Sequence, residues 1–322
     1  MDISIIILSY KSQKDLERLL PSVFASETKY SYEVIIVDNG SNDGTFEWAE
    51  MQLQDLTHSA SSGQEFKDLK IIKNTNTGFA SGNNIGIKQA GGKYILLLNP
   101  DTGIEKDTLQ VMLDFMESRA EVGISGCKIT KPDGSLDLAC RRKFPNPWNS
   151  FKRLFLLSNT DYNLTATDIN QEMEIDSVMG AFLLIRKSVI EKIGLLDEEF
   201  FMYGEDIDWC WRCKEAGYKV WYYPKTFITH YKGSSSSKVA FRALKWFHDA
   251  MWIFYLKHYE KQYPFFANWL VWLGIYSRLC ILIVINKKGD GRRTLMVVVF
   301  TLFFSVLFPS LASSQQVNEF SA

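Results

Sequence analysis

The sequence is poor in cysteine, the residue whose disulfides stabilise small secreted folds, and it has no excess of positive or negative charge. Its 322 residues include five cysteines, which are odd in number and scattered along the chain. A secreted domain held by disulfides needs an even, closely spaced set, so that class is excluded. The 36 Lys and Arg residues are balanced by 37 Asp and Glu residues. Proteins that bind nucleic acid carry a basic excess, and we therefore expect no nucleic-acid partner.

The amino-terminal segment also lacks the basic region and the long apolar stretch of a secretory signal. It begins MDISIIILSYKSQKD, with an acid at position 2 and a short apolar run over 3–8. We interpret this run as a buried strand and expect the catalytic part to stay in the cytoplasm. The composition, 46% hydrophobic and 23% charged, is typical of a globular protein that buries a core.

Apolar strand patterns alternate with helix patterns through the first half of the chain. Strands are predicted at 3–8, 33–38, 69–73, 93–98 and 122–129. A helix pattern follows Ser12, and Pro21 inside it predicts a kink or an early end. Strands that are apolar on both faces and alternate with helices indicate a mostly parallel sheet. The predicted fold class is therefore α/β.

The second half is less regular. The sheet is predicted to resume at 178–185, and short strands follow at 219–223 and 227–231. Between these strands, a helix over 207–216 should end at Gly217. Polar stretches that lack either period are predicted to be a surface insertion or irregular loops, at 58–68, 144–175 and 233–238.

Two apolar runs occupy the carboxyl-terminal part, 269–285 with Arg278 inside it and 294–312 without a charge. The second is long enough to span a bilayer, whereas an arginine in the middle of the first is costly in hydrocarbon. If the basic turn between them is cytoplasmic, the first run lies in the membrane interface and only the second crosses. The alternative is a helical hairpin packed on the domain. The aromatic, basic stretch 241–261 either rests on the membrane surface or packs as a core helix.

Four polar clusters follow predicted strands, at the edge where open α/β sheets bind ligands. In the first, Asp38 opens the sequence DNGSNDG, where its carboxylate would accept from a ribose or base, although this composition also forms ordinary turns. The second, NTNTGFASGNN over 74–84, leads into a helix whose first N–H groups suit a phosphate. Neither is a G-x-G-x-x-G or a Walker A motif, so a dinucleotide fold and a P-loop NTPase are not supported.

The third cluster is Asn99-Pro100-Asp101, after the strand 93–98. A carboxylate at the mouth of a buried strand needs a partner, and a divalent cation that bridges to a diphosphate is one. The alternative is that Asp101 and Thr102 cap the following helix. His230, after a later strand, is either a structural histidine or a metal ligand that would favour Mn²⁺ over Mg²⁺.

The fourth cluster places three acids within 205–208 at the start of a helix, which is more than a cap needs. Positions 206 and 208 lie about 200° apart around a helix, so both cannot face one site. Asp208 and Arg212 have the i,i+4 spacing of an ion pair. That pairing leaves Glu205 or Asp206 to face a ligand.

Together these clusters, in this order, resemble the family 2 inverting glycosyltransferases with the GT-A fold, and most closely their bacterial rhamnosyltransferase-like branch. Seven ordered motifs carry the resemblance over about residues 1–260: IILSYKS, VDNGSNDGT, NTGFASGNNIGI, LLLNPDT, MGAFLLIRK, GLLDEEFFMYGEDIDWCWR and the H-x-x-G-x-S of His230, Gly233 and Ser235. The apolar tail lies outside it. The implied fold is a mostly parallel sheet flanked by helices, with a hydrophobic helical appendage.

The resemblance implies how the chain is divided. A glycosyltransferase domain over 1–240 has a nucleotide-sugar-binding half, 1–130, and an acceptor-binding and catalytic half, 131–240. A membrane-associating helical region follows over 241–322. The implied donor-binding residues are Ser9, Tyr10, Asp38, Asn39, Asn76, Gly78, Phe79, Asn83, Asn84, Asn99 and Asp101. The implied acceptor-binding residues are Gly180, Ala181, Tyr203 and Trp209.

The resemblance also implies the chemistry. Asn99 replaces the first acid of the family's D-x-D motif, so a divalent cation, Mg²⁺ or Mn²⁺, would rest on Asp101 with His230. Asp206 would be the catalytic base, with Glu205 as the neighbouring candidate. In an inverting transfer, this base takes the proton from the acceptor hydroxyl in a single displacement.

The implied reaction moves a sugar from dTDP-rhamnose or a UDP-sugar to a growing, lipid-linked cell-surface glycan. The apolar tail suggests that this occurs at the cytoplasmic face of the inner membrane, with the enzyme held peripherally or by one carboxyl-terminal transmembrane helix. A polyprenyl-phosphate sugar transferase is the closest alternative, because the tail suits it as well. A sugar nucleotidyltransferase and a non-catalytic membrane scaffold are further alternatives.

Overall fold

The computed structural model of the chain describes residues 1–59, 68–146, 162–231 and 240–287. They belong to two compact units, Met1–Pro264 and Phe265–Ala322. The described helices are α1 (Gln13–Phe24), α2 (Thr45–Ser59), α3 (Phe79–Gln89), α4 (Thr108–Ser118), α5 (Lys187–Ile193), α6 (Glu205–Glu215), α7 (Ala240–His258) and α8 (Phe265–Lys287). The described strands are β1 (Ile3–Ser9), β2 (Tyr32–Asn39), β3 (Asp68–Asn74), β4 (Tyr94–Leu98), β5 (Thr102–Ile104), β6 (Val122–Thr130), β7 (Arg141–Arg142), β8 (Met173–Ile175), β9 (Ser177–Val178), β10 (Phe182–Arg186) and β11 (Lys219–His230). Of the helices, α8 lies in the second unit.

Nine of the described strands form one sheet, in the order β3-β2-β1-β4-β10-β6-β11-β5, with β8 paired to β11. The strands β3, β2, β1, β4, β6 and β11 run in one direction, and β10, β5 and β8 run in the other. The strands β7 and β9 form a separate antiparallel pair. The sheet is therefore mainly parallel, which confirms the predicted α/β class.

The amino-terminal half of the sheet is covered on both faces. Every residue of β1, β2 and β4 is buried, and side chains alternate between the two faces of a strand. Helix α3 lies so close to β1 that a Cβ on Gly86 would come within 2.6 Å of Ile6 Cγ2, and one on Gly82 within 2.5 Å of Leu8 Cδ1. The glycines of the motif GNNIGI are thus needed for this helix to approach the sheet.

The predicted strands of the first half match the observed ones to within one residue at each end. The prediction was less accurate later in the chain. The predicted strand 178–185 is two strands, β9 and β10, because a turn closed by the Phe182 N–H and the Met179 carbonyl (3.2 Å) separates them. The two predicted strands 219–223 and 227–231 are one long strand, β11, with an irregularity between Tyr223 and Phe227.

Two further local alternatives are excluded, an early end of the first helix at Pro21 and a helix cap at Asp101 and Thr102. Helix α1 continues through Pro21 to Phe24 instead of ending early. Pro21 and Glu17, whose carbonyl loses its helical partner, both lie on the exposed face, where solvent replaces the missing bond. The helix after β5 is preceded by Asp107, so Asp101 and Thr102 do not cap it. By contrast, α6 ends as predicted, at Gly217 with φ +87°.

Some predictions fall outside the described residues. These are most of the polar insertion at 58–68, the part of the irregular segment over 147–161, the loop 233–238 and the apolar run 294–312. Among the helices that are described, none is both long and apolar enough to cross a membrane.

Helix α7 belongs to the first unit and packs on it through aromatic side chains. Phe254 and Tyr255 are buried, and His248 is completely buried. Trp246 lies 4.6 Å from Phe201, measured between ring centroids. Phe254 also contacts Trp211 of α6 edge-on, at 5.8 Å. For one face of this stretch, the structure therefore agrees with the core-helix alternative.

Candidate active site

The predicted polar clusters meet at one edge of the sheet. The strands β1 to β4 are parallel neighbours, so their carboxyl ends lie together. Ser9 at the end of β1 is in register with Asp38 near the end of β2, and Asn99 and Asp101 follow the end of β4. This is the edge at which open α/β sheets bind ligands.

Asp38 has a carboxylate oxygen that is available to accept a hydrogen bond from a ligand. The side chain is buried, and its Oδ2 accepts a hydrogen bond of 3.0 Å from the backbone N–H of Ser41. Its Oδ1 is buried and has no hydrogen-bond partner in the described part of the chain. Leaving a buried carboxylate oxygen unpaired is costly. The atom is therefore suited to accept from an N–H or O–H group of a bound molecule, as the donor-binding prediction requires.

The two other residues predicted to bind the donor near β1 differ in accessibility. Ser9 is buried, and its hydroxyl shares a hydrogen bond of 2.8 Å with that of Ser12. Tyr10 is exposed, and the next residue, Lys11, has a positive φ of 54°. The Lys11 N–H donates to Ser41 Oγ at 2.8 Å, which ties this turn to the one after β2. Tyr10 is thus accessible to a ligand, whereas Ser9 stabilises the turn.

The loop between β3 and α3 is held by amide side chains. The Asn39 amide donates to Asn76 Oδ1 and to the Gly78 carbonyl, both at 3.2 Å. Its own Oδ1 accepts from Asn74 Nδ2 at 3.0 Å. The predicted donor residues Asn39 and Asn76 therefore set the shape of the loop, and Asn76, the more exposed of the two, also faces solvent.

Gly78 and Phe79 connect this loop to the second half of the site. Gly78 has φ +99°, and a Cβ there would lie 2.6 Å from the Phe201 carbonyl oxygen. The Phe79 N–H donates to that same oxygen at 2.7 Å. The Phe79 ring carbon Cε1 lies 3.8 Å from the point where a Cβ of Gly180 would be. Phe79 thus lies between the predicted donor and acceptor residues.

Asn83 and Asn84 need a correction, because their side chains are used within the protein. Both are buried. The Asn83 amide donates to the Phe79 carbonyl at 2.9 Å. The Asn84 amide donates to the Leu196 carbonyl at 2.8 Å and to Glu198 at 2.9 Å, and its oxygen accepts from the Leu196 N–H at 3.1 Å. Asn83 therefore stabilises the first turn of α3, and Asn84 holds the segment 196–198, with both N–H groups of its side chain used within the protein.

The predicted metal ligands Asp101 and His230 are adjacent. His230 ends β11, which pairs with β5, and its Nε2 lies 3.2 Å from Asp101 Oδ1. Two ligands at right angles on an octahedral ion with bonds of about 2.1 Å stand about 3.0 Å apart. The separation therefore fits two neighbouring ligands of one small divalent cation. In the described residues, no group of three His, Cys, Asp or Glu side chains is placed to hold a metal ion.

Sequence reasoning missed Asp137, which lies on the other side of the same imidazole. Its Oδ2 is 3.5 Å from His230 Nδ1, and both side chains are almost completely buried. A histidine that binds a metal through one nitrogen commonly presents the other to a carboxylate, which fixes its tautomer. No local pattern indicates this contact, because Asp137 is 93 positions from His230 and belongs to none of the polar clusters.

Hydrogen bonds join the Asp101 segment to the fourth cluster. The Asn99 N–H donates to the Ala181 carbonyl at 3.1 Å. The preceding residue, Gly180, donates its N–H to Asp206 Oδ2 at 3.0 Å. Gly180 and Ala181 are both buried and the Gly180 N–H is used by Asp206, so the structure leaves little of either residue for the predicted contact with an acceptor. Two consecutive peptide groups therefore connect the predicted metal ligand with the predicted base.

Asp206 lies in the first turn of α6 and is strongly hydrogen-bonded. Its Oδ2 also accepts from Arg142 Nη2 at 2.7 Å, and its Oδ1 accepts from the Ile207 N–H at 2.8 Å. Burial is the largest influence on the pKa of the Arg142 guanidinium and lowers it, but the charge and hydrogen bond of Asp206, together with Tyr162 and Cys210, outweigh burial, so that this pKa is raised. These contacts hold the Asp206 carboxyl group in place.

Glu205, the neighbouring acid, is in the opposite situation. It is almost completely buried, and its Oε2 has no hydrogen-bond partner among the residues that the structure describes. Burial, and then the adjacent charge of Asp206, raise the pKa of Glu205 to about 8. Near neutral pH, Glu205 is therefore mostly protonated.

The predicted pair of Asp208 and Arg212 is confirmed. Asp208 is buried, and its Oδ2 lies 2.7 Å from Arg212 Nη2. Its Oδ1 lies 2.8 Å from His258 Nε2, on α7. Asp208 is thus used to fasten α6 to α7, as expected for a residue on the far side of the helix from Asp206.

Of the two aromatic residues predicted to bind the acceptor, Tyr203 is accessible and Trp209 is not. Tyr203 is 37% exposed and has a positive φ of 73° where the chain enters α6. Trp209 is fully buried, and its indole N–H donates to the Gly194 carbonyl at 2.9 Å. An acceptor cannot reach a side chain without accessible surface. The assignment of Trp209 was therefore wrong, and this residue is part of the core.

Comparison with known proteins decides the family. The family model described as Glycosyl transferase family 2 matches residues 4–194, more than half of the chain. The chain belongs to glycosyl transferase family 2. This match confirms the resemblance that the seven motifs predicted, and with it a glycosyltransferase as the class of enzyme.

Two relatives in this family have rhamnosyltransferase names. The chain is 27% identical to rhamnosyltransferase WbbL of Escherichia coli (strain K12) over 249 residues, which cover 75% of this chain and 88% of that protein. It is 23% identical over 322 residues to the N-acetylglucosaminyl-diphospho-decaprenol L-rhamnosyltransferase of Mycobacterium tuberculosis (strain CDC 1551 / Oshkosh), covering 91% of this chain and 97% of that protein.

Solved structures of GT-A glycosyltransferases share the fold. TarS 1-349 of S. aureus superposes with a TM-score of 0.52 at 17% identity, over 86% of this chain and 71% of that one. The mannosyltransferase PcManGT from Pyrobaculum calidifontis, solved with GDP-Man and Mn²⁺, superposes with a TM-score of 0.53 at 13% identity. The match covers 94% of this chain and 79% of that one. At such identities, these structures show the fold alone, and they confirm the predicted GT-A architecture.

Proposed function

We propose that this family 2 glycosyltransferase moves a sugar from a nucleotide-diphosphate donor to a hydroxyl of a lipid-linked glycan, with inversion at the anomeric carbon. The observation that carries the proposal is the connection across the site. Asp206 and the Asp101 segment are joined through the consecutive residues Gly180 and Ala181. A base and an anchor for a diphosphate are thus held on one rigid edge, as an in-line displacement requires.

In this proposal, different residues of the chain bind the nucleotide, take the proton and contact the acceptor. Asp38 accepts a hydrogen bond from the nucleotide through its unpaired Oδ1, and Tyr10 and Phe79 contact the donor. Asp206 takes the proton of the acceptor hydroxyl as the new glycosidic bond forms. Tyr203, which is exposed, contacts the acceptor.

A divalent cation, Mg²⁺ or Mn²⁺, belongs to the proposal. Asp101 and His230 would hold it, and their separation of 3.2 Å fits two ligands of one ion. When bound, it supplies positive charge that stabilises the departing diphosphate. The nitrogen ligand favours Mn²⁺. PcManGT, which shares the fold, was solved with Mn²⁺.

The names of the relatives support the donor and the acceptor. Rhamnosyltransferase WbbL and the mycobacterial L-rhamnosyltransferase support dTDP-rhamnose as the first donor to test. The mycobacterial name also specifies a sugar on diphospho-decaprenol, which supports a polyprenyl-linked acceptor. A UDP-sugar remains the second candidate, because TarS, of the same fold, was crystallised with UDP-GlcNAc. An acceptor of this kind would place the enzyme at the cytoplasmic face of the membrane.

A panel of nucleotide sugars tests the proposed function. Purified full-length protein in detergent is incubated with each donor and with a short polyprenyl-diphosphate-linked acceptor, in Mn²⁺, in Mg²⁺ or in EDTA. We expect metal-dependent release of nucleoside diphosphate from one donor, with dTDP-rhamnose first, and a glycosylated lipid of inverted configuration. Transfer to polyprenyl phosphate in place of the glycan would support the alternative transferase. The proposal would be contradicted if the protein neither bound nor turned over any donor of the panel.

The Asp137 contact leads to a prediction for metal binding. Replacing Asp137 by Asn removes the carboxylate opposite His230 Nδ1, and the loss of such an outer partner weakens metal binding by about 10–100-fold. Titration of the protein with Mn²⁺, followed by electron paramagnetic resonance without any sugar donor, measures this change directly. Asp133→Asn, in the exposed turn nearby, is the matched control and should leave the affinity unchanged. Equal Mn²⁺ affinities of Asp137→Asn and the wild type would contradict this role.

A further inference from the structure

We propose that Arg142 is a positioning residue that makes Asp206, and not Glu205, the base of this transferase. Arg142 lies outside the seven motifs, and its side chain contacts Asp206 at a salt-bridge distance of 2.7 Å. The inference rests on the proposed function and extends it. It says which of two adjacent acids is charged, and which residue decides this.

The position of Arg142 is fixed by its backbone and by several acceptors. It is in β7, which pairs antiparallel with β9 so that Arg142 is in register with Ser177. Besides Asp206, its Nη2 donates to Ser177 Oγ at 3.2 Å and to the Val178 carbonyl. Only 11% of each partner's side chain in the Arg142–Asp206 pair is exposed. These contacts fix the position of the Arg142 guanidinium. The guanidinium in turn holds Asp206 Oδ2 next to the Gly180 N–H.

Electrostatics then separate the two acids. Two buried, adjacent carboxylates cannot both ionise at low cost, and one cation beside Asp206 determines which of them does. Glu205 has no such partner for its Oε2, and burial with the charge of Asp206 raises its pKa to about 8. The titratable and charged groups that act on the pair come from several elements: Asp208 and Cys210 on α6, Arg142 on β7, Tyr203 before α6 and Tyr162.

The loss of Arg142 should therefore change the protonation of the Asp206–Glu205 pair and leave the binding of the sugar donor unchanged. Without the guanidinium, Asp206 and Glu205 share a proton, and the pKa of the pair's first ionisation rises. At neutral pH, a larger fraction of the base is then protonated and inactive. Activity should recover as the pH rises, because deprotonation restores the base. Donor binding should be spared, because Arg142 has no contact with the predicted nucleotide residues Asp38 and Tyr10 in this structure.

The test is the pH dependence of kcat for the wild type, Arg142→Gln and Arg142→Lys, with the donor KM measured alongside. We expect the acidic limb of Arg142→Gln to move upward by about one pH unit or more, and the loss of kcat at pH 7 to equal the fraction of the base that is protonated there. Arg142→Lys keeps the charge and should lie in between. Arg119→Gln, which breaks the distant ion pair with Glu172, is the control and should keep the wild-type profile.

A measurement without substrate keeps the inference testable if the Gln variant is poorly folded. Infrared difference spectra of the wild type at neutral pH should contain a protonated carboxyl band that disappears in Glu205→Gln and persists in Asp206→Asn. In Arg142→Lys, the pH at which this band is lost should change. An unmoved acidic limb in both Arg142 variants, or a band that disappears in Asp206→Asn instead, would overturn the inference. An inactive wild type that still shows the expected band would contradict the proposed function alone.

Discussion

Replacing Asp206 by Asn is expected to lower the rate of sugar transfer by about 10²–10⁴-fold, the usual contribution of a general base. The substitution keeps the shape of the side chain, but its single amide oxygen can accept from only one of the Gly180 and Ile207 N–H groups, and it removes the charge that takes a proton. Donor affinity should be unchanged, since Asp206 contacts none of the predicted nucleotide residues. Single-turnover transfer and calorimetric donor binding, measured on the same preparation, separate the two quantities.

Glu205→Gln is the matched control for this experiment. The change replaces a side chain that is protonated near neutral pH by a neutral isostere, so we expect most of the transfer rate at pH 7 to remain. Above the pKa of Glu205, about 8, the wild type gains a second buried negative charge, and the variant does not. The pH profile of the wild type should therefore change above that pKa, and the profile of the variant should not. If Glu205→Gln abolished transfer and Asp206→Asn did not, Glu205 would be the base.

The fold could be predicted because it depends on patterns that are local in the sequence. A run such as YILLL, apolar at every position, is favourable only where both faces of a strand are covered, and this alone indicates a sheet between helices. The polar clusters after these runs then had to lie at one edge, since parallel strands share their direction. Asp38 and Asp101 were found in this way. The i,i+4 pairing of Asp208 with Arg212 was equally local and separated Asp208 from Asp206 correctly.

The remaining features of the site depend on contacts between distant parts of the chain. Arg142 is 64 positions from Asp206, and in the sequence RRK it looks like any exposed basic residue. Asn84 seemed to be a donor residue because of its place in an amide-rich motif, yet its partner Leu196 is 112 positions away. A motif indicates that a residue matters. It does not indicate whether the side chain contacts the ligand or holds the loop that does.

Trp209 shows the same distinction and allows a second prediction with a large effect. Replacing this fully buried indole by Ala removes a large core side chain, for which about 3–5 kcal/mol of folding free energy is the usual loss. The Gly194 carbonyl also loses its hydrogen-bond donor. We therefore expect a clear fall in the midpoint of thermal unfolding, or insoluble protein, measured against the wild type by denaturant titration where both are soluble.

The conservative variant Trp209→Phe distinguishes a core role from an acceptor-binding role. It keeps most of the buried ring but loses the N–H that donates to the Gly194 carbonyl, and because Gly194 is exposed, the expected cost is the net contribution of one hydrogen bond, about 0.5–1.5 kcal/mol. Its acceptor KM and its kcat at a temperature where it is fully folded should equal those of the wild type. Tyr203→Phe and Tyr203→Ala, at an exposed position of the site, are the contrasting pair, and the Ala variant should raise the acceptor KM. A raised acceptor KM in folded Trp209→Phe would mean that the indole reaches the acceptor, and that the core assignment of α6's buried face is incomplete.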